Sequence, residues 1–125
     1  MNVKIDTKEK FVVIALSDPY LTANMTEELS NMLLSYLQKD IRHIILNMSA
    51  VNEADEKVCE TIADVQQKFY ENNASLVICE LQPAIENKLD QLEILEILNV
   101  TPTESEAWDI VQMEEIEREL LGGEE

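Results

Sequence analysis

The stretch IRHIILNMSAVNEADEKVCETIADVQQKF, residues 41–69, decides how the chain is read. Ile44, Ile45 and Leu46 form an unbroken apolar run too short for a helix, the pattern of a strand buried on both faces of a parallel sheet. Asn47 to Asp55 is polar and reads as a loop. Beyond it, Val58, Ile62, Val65 and Phe69 recur at three- and four-residue spacing while Glu60, Asp64, Gln67 and Lys68 fall elsewhere, the period of an amphipathic helix. A loop that leaves the carboxyl end of a buried strand and feeds a helix is where open α/β sheets carry their functional groups. Here it offers Asn47, Ser49, Asn52, Glu53, Asp55, Glu56 and Lys57.

Working outward from that stretch, strands and helices alternate. Upstream, Val3–Ile5 and Phe11–Leu16 read as a hairpin joined by the charged residues Asp6 to Lys10, and Ser17, Asp18 and Pro19 stop the second strand. Met25, Leu29, Met32, Leu33, Tyr36 and Leu37 then form the apolar face of a helix whose methionines read as core packing; Asn24 and Glu27 are spaced as a capping box. Downstream, Asn72 and Asn73 end the helix that began after the loop, asparagine being the usual substitute for glycine in a left-handed stop. Ser75–Leu81 reads as a strand, and Pro83 opens a helix with Ile85, Leu89 and Leu92 on its apolar face. A short strand is expected at Ile97–Val100. Thr103 and Glu106 form a second capping box before a last helix marked by Ala107, Ile110, Val111 and Leu120; its Glu114, Glu115, Glu117 and Glu119 read as a solvated face. The expectation is one α/β domain over residues 1–121 and a disordered tail over 122–125. Its mixed sheet should have four to five strands, with about four helices around it.

Composition narrows the function. The chain has 125 residues, 46% of them hydrophobic, which is enough for a real core. A net charge of -17 repels a nucleic-acid backbone or an anionic membrane surface, so basic or mixed-charge proteins are the expected partners. Glycine occurs only at Gly122 and Gly123, which excludes a glycine-rich phosphate loop and a dinucleotide fingerprint in the folded part. No run is long enough to span a bilayer, and the first residues lack the apolar centre of a signal peptide, so a cytoplasmic location is expected. Cys59 and Cys79 lack the spacing of a zinc or redox pair and read as semi-buried thiols in a reducing compartment.

Catalytic chemistry finds little to stand on. Cys59 with His43 is the one thiol and imidazole option, and nothing nearby in sequence activates it; the lone His43, beside Arg42, reads as structural. Asp55 with Glu53 or Glu56 offers paired carboxylates, but acids at a helix start are expected simply because they complement its dipole, by about 0.3–1 kcal/mol each. No catalytic residue, metal site or cofactor is expected, and a small hydrolase is the most distant alternative.

Several strings do carry a resemblance. The run Asp40, Ile41, Arg42, His43, Ile44, Ile45, Leu46, Asn47 resembles the strand entering the phosphoacceptor loop of the STAS domain, the fold of bacterial anti-sigma factor antagonists. Leu21 to Leu29 is similar to the segment opening that family's first helix, and Val77–Cys79 and Pro83–Ile85 fit its next strand and helix. The resemblance implies a non-enzymatic bacterial module in transcription regulation. Its partner, an anti-sigma factor that is itself a serine kinase, phosphorylates a hydroxyl in an Asp-Ser-Ser/Thr-Gly loop, and the added charge switches binding. Aligned through that loop, Asp55 keeps the aspartate, Glu56 replaces the phosphoacceptor serine, and Lys57 and Val58 replace the following hydroxyl residue and glycine. Thr22 departs from the aspartate common in relatives. The expected partner-binding residues are therefore Thr22, Ala23, Asn24, Asp55, Glu56, Lys57 and Val58. Glu56 is the phosphoacceptor equivalent that cannot be phosphorylated. Docking onto a transporter or other complex is the alternative role.

Overall fold

The computed structural model describes residues 1–122; the expected tail over 122–125 lies outside that range except for Gly122, where the last helix ends. Strands β1 (Val3–Thr7), β2 (Phe11–Leu16), β4 (His43–Asn47), β6 (Leu76–Cys79) and β7 (Val100–Thr101) form one mixed sheet in the order β1-β2-β4-β6-β7. The first pair is antiparallel, as the hairpin reading requires, and the remaining pairs are parallel. Strands β3 (Tyr20–Leu21) and β5 (Glu53–Ala54) pair separately, in parallel, as Tyr20 opposite Glu53 and Leu21 opposite Ala54. Among the described residues, four α-helices complete the fold: α1 (Thr26–Ser35), α2 (Glu56–Glu71), α3 (Pro83–Gln91) and α4 (Glu104–Gly122).

The unbroken apolar strands follow from two cores. Val12, Ile14, Ile44, Leu46, Leu76 and Ile78 join the helix residues Leu33, Val58, Phe69 and Leu89 on one face of the sheet. Their neighbours Phe11, Val13, Ile45, Val77 and Cys79 meet Ala107 and Val111 of α4 on the other. Side chains alternate along a strand, so a strand with a helix layer on each side must be apolar at every position.

Chain ends of the helices explain several local choices. Asn73 adopts the left-handed conformation (φ 56°) after α2, and the Ala74 N–H closes the turn on the Phe69 carbonyl at 2.9 Å. Thr103 caps α4: its hydroxyl oxygen accepts from the Glu106 N–H at 3.2 Å and donates to the Glu106 carboxylate at 3.1 Å. The first expected box is not formed. Asn24 lies inside a 3-10 turn, Ala23–Met25, and α1 starts one turn later, at Thr26, whose hydroxyl donates to the Ala23 carbonyl. The strand expected at Ile97–Val100 is displaced to Val100–Thr101, because Leu95–Ile97 completes a 3-10 turn first. Leu120, expected on the packed face of α4, is exposed.

Candidate functional site at the carboxyl end of the sheet

The polar segment after β4 is less free than its composition suggests. Met48, Val51 and Ala54 are all buried, so three anchors pin it to the core. The Asn47 side chain accepts from the Ser49 N–H and donates to Glu104 at 3.0 Å, tying the segment to the start of α4. Its second half lies beside the chain that follows β2: the Asn52 and Glu53 N–H groups donate to the Pro19 carbonyl, and the Asp55 N–H donates to Leu21. Lys88 of α3 reaches the Ala54 carbonyl from the other side.

Asp55 is the N-cap residue of α2, with extended backbone (φ -68°, ψ 154°), but its carboxylate does not cap its own helix. One oxygen accepts from the Tyr20 hydroxyl at 2.8 Å and the other from the Ala23 N–H at 2.7 Å. Both donors favour the ionised carboxylate. They hold Asp55 below its ordinary value of 3.8, the Tyr20 bond first and the Ala23 bond second. The same contact raises the Tyr20 phenol, since a neighbouring anion opposes its ionisation.

That clamp sets the turn Thr22–Asn24 beside the first turn of α2. Ala23, Asn24, Glu56 and Lys57 are exposed there, and Thr22 is half-buried. Val58 does not join them. It is 0% exposed and packs among the core residues, because the third position of α2 faces the sheet. Sequence reading missed Tyr20 and Lys88; a two-residue strand such as β3 has no period to detect, and both contacts span more than thirty positions.

The thiol and imidazole weighed as a pair in the sequence are not brought together. Cys59 lies in the first turns of α2, after the carboxyl end of β4, whereas His43 begins that strand, so the sheet separates the two. Burial raises the Cys59 thiol and pushes Cys79 up to about 12, away from the thiolate a nucleophile needs. Thr61 donates back to the Lys57 carbonyl within its helix.

At the opposite end of the sheet, the acidic face of α4 is not simply solvated. His43 is 9% exposed; its Nδ1 accepts from the Ser75 N–H at 3.0 Å, so the proton sits on Nε2, which donates to Glu115 at 2.6 Å. Glu114 accepts from the Ser75 hydroxyl and the Asn99 amide. Burial lowers the His43 imidazole below 6.5 despite the opposing pull of Glu115. Protonating Nδ1 would also break the Ser75 bond. Among the described residues, no helix is long and apolar enough to cross a membrane.

Comparison with known proteins places this arrangement. A putative anti-sigma factor antagonist from Thermotoga maritima superposes with TM-score 0.75 at 17% identity, covering 88% of this chain and 94% of that one. RsbS from Moorella thermoacetica, as a serine-to-glutamate variant, gives 0.74 at 16% identity over 90% and 96%. The murine anion transporter Slc26a9 contains a segment that gives 0.70 at 15% identity, covering 83% of this chain and 18% of the transporter. Residues 2–107 match the family model described as STAS domain, and with this sheet order the chain belongs to the STAS domain family.

Proposed function

We propose that the chain is a non-enzymatic bacterial regulatory module of the cytoplasm that binds a protein partner through Thr22–Asn24 and Asp55–Lys57. The partner is an anti-sigma factor with serine kinase activity. One observation supports this reading above others: the Asp55 carboxylate joins two segments distant in sequence into a single exposed surface at the start of α2. Glu56 stands in that surface as a fixed charge. It supplies about one negative charge where phosphoserine carries about 1.5–2, so the module presents a weakened, permanent version of the modified state.

A pull-down from native lysate with the wild-type chain and with Glu56→Ser tests it. The reading expects both to recover a serine-kinase anti-sigma factor and Glu56→Ser alone to accept phosphate from it. Recovery without any phosphate transfer to Glu56→Ser would remove the switch from the proposal. A second reading, docking onto a transporter, is favoured by the likeness to the Slc26a9 segment, and recovery of membrane-transport components alone would select it.

A further inference from the structure

The last helix carries a second apolar face that the sheet does not use. Ala107 and Val111 pack on the sheet, whereas Met113, Ile116 and Leu120 are 55%, 57% and 68% exposed. Their three- and four-residue spacing aligns them as one stripe over two turns. Single exposed apolar residues are ordinary on a protein surface; an aligned row of large ones marks a contact face. Ile116 also lines a groove of about 390 Å³ between α4 and the β1–β2 turn at Glu9 and Lys10.

On α4 itself the residues bordering the stripe are acidic, while Lys10 stands across the groove. Asp109, Glu117 and Glu119 are exposed on the same helix. Its one basic residue, Arg118, is turned inward, where it donates to the Ser75 hydroxyl at 2.8 Å. This face is also far from the surface around Asp55. Glu104, where α4 starts, meets Glu80 and Asn47 at the carboxyl ends of β6 and β4, while Glu115 and Glu114 meet His43 and Ser75 at their amino ends. The stripe therefore continues toward the opposite end of the sheet, in residues beyond the 2–107 family match.

We propose that this stripe docks an amphipathic helix of another protein, one whose apolar residues are flanked by lysine and arginine. Such a helix covers the stripe and meets the acidic borders with complementary charge. A second copy of this chain is the poorer occupant. Each carries -17, and pairing α4 with α4 sets acidic borders against each other. The inference stands independently of the regulatory reading, since it uses none of the residues near Asp55.

The probe for the test is a synthetic helical peptide with leucine at the seam positions of a heptad and lysine elsewhere, alongside a scrambled peptide of the same composition. Fluorescence anisotropy against the full chain is expected to show binding of the helical peptide. The variant combining Met113→Gln, Ile116→Gln and Leu120→Gln keeps the net charge and should weaken that binding at least about tenfold, as should scrambling. Circular dichroism checks that the variant is folded, and Ile116→Gln alone provides a milder version. Undiminished binding by the variant, equal binding of the scrambled peptide, or no binding at all overturns the proposal. So does a wild-type dimer in sedimentation that the variant dissolves, which would assign the stripe to a second copy.

Discussion

The carboxylate of Asp55 receives the Tyr20 hydroxyl at 2.8 Å and the Ala23 N–H at 2.7 Å, so an aspartate at the head of α2 organises a turn more than thirty positions upstream. Replacing Asp55 by Asn removes the charge that both donors address. The expected outcome is faster amide exchange at Ala23 and a loss of partner affinity larger than that from Tyr20→Phe, which leaves the Ala23 bond intact. Equal effects of the two variants would show that the backbone bond contributes nothing to the surface.

The same carboxylate predicts an acid limit. Its folded pKa lies below the ordinary 3.8, so its contribution to stability is present in full above that value and fades as the pH falls through the depressed one. An NMR titration should therefore show the Ala23 amide and the Tyr20 ring shifting only below the range in which ordinary aspartates titrate. Asp55→Asn should abolish that step.

His43 gives a separate signature nearer neutrality. Its folded pKa is lowered from 6.5, so the folded state resists protonation; the stability linked to it is present above 6.5 and is lost as pH falls through that value toward the lower folded pKa. Between about pH 7.5 and about pH 5.5 the wild-type Tm should decline, while His43→Gln, starting lower, should decline less. A steeper decline in the variant would assign the effect to other groups.

Val58, which the resemblance aligns with the glycine of the family's loop, is buried against the sheet. Val58→Gly should cost about 2–4 kcal/mol, combining the lost burial of a valine side chain with the lower helix propensity of glycine. Urea denaturation measures this. A cost under about 0.5 kcal/mol would mean that the site repacks, against the usual behaviour of core truncations.

Thr103 caps α4, the only helix on its face of the sheet among the described residues. Thr103→Ala should cost about 1 kcal/mol in the same assay, and Thr103→Ser almost nothing, because the hydroxyl and not the methyl group makes the cap.

Much of this architecture was legible in the residues because it rests on local periods and ends. The unbroken Ile44–Leu46 run requires a helix layer on each side, the spacing from Val58 to Phe69 requires an amphipathic helix, and Asn73 and Thr103 mark ends by chemistry that acts within a few residues. The loop carrying Asp55 and Glu56 was located for the same reason. Tertiary structure decided what those groups face. In sequence Asp55 reads as an acid that complements the dipole of its own helix, and only the parallel pairing of β3 with β5 brings Tyr20 and Ala23 to its two oxygens. The acidic residues of α4 read alike, yet the packing of that helix aims Glu115 at a buried imidazole and leaves Glu117 exposed. Hydrogen bonds between segments thirty to seventy positions apart leave no period in the chain, so the choice of partner is made by the fold.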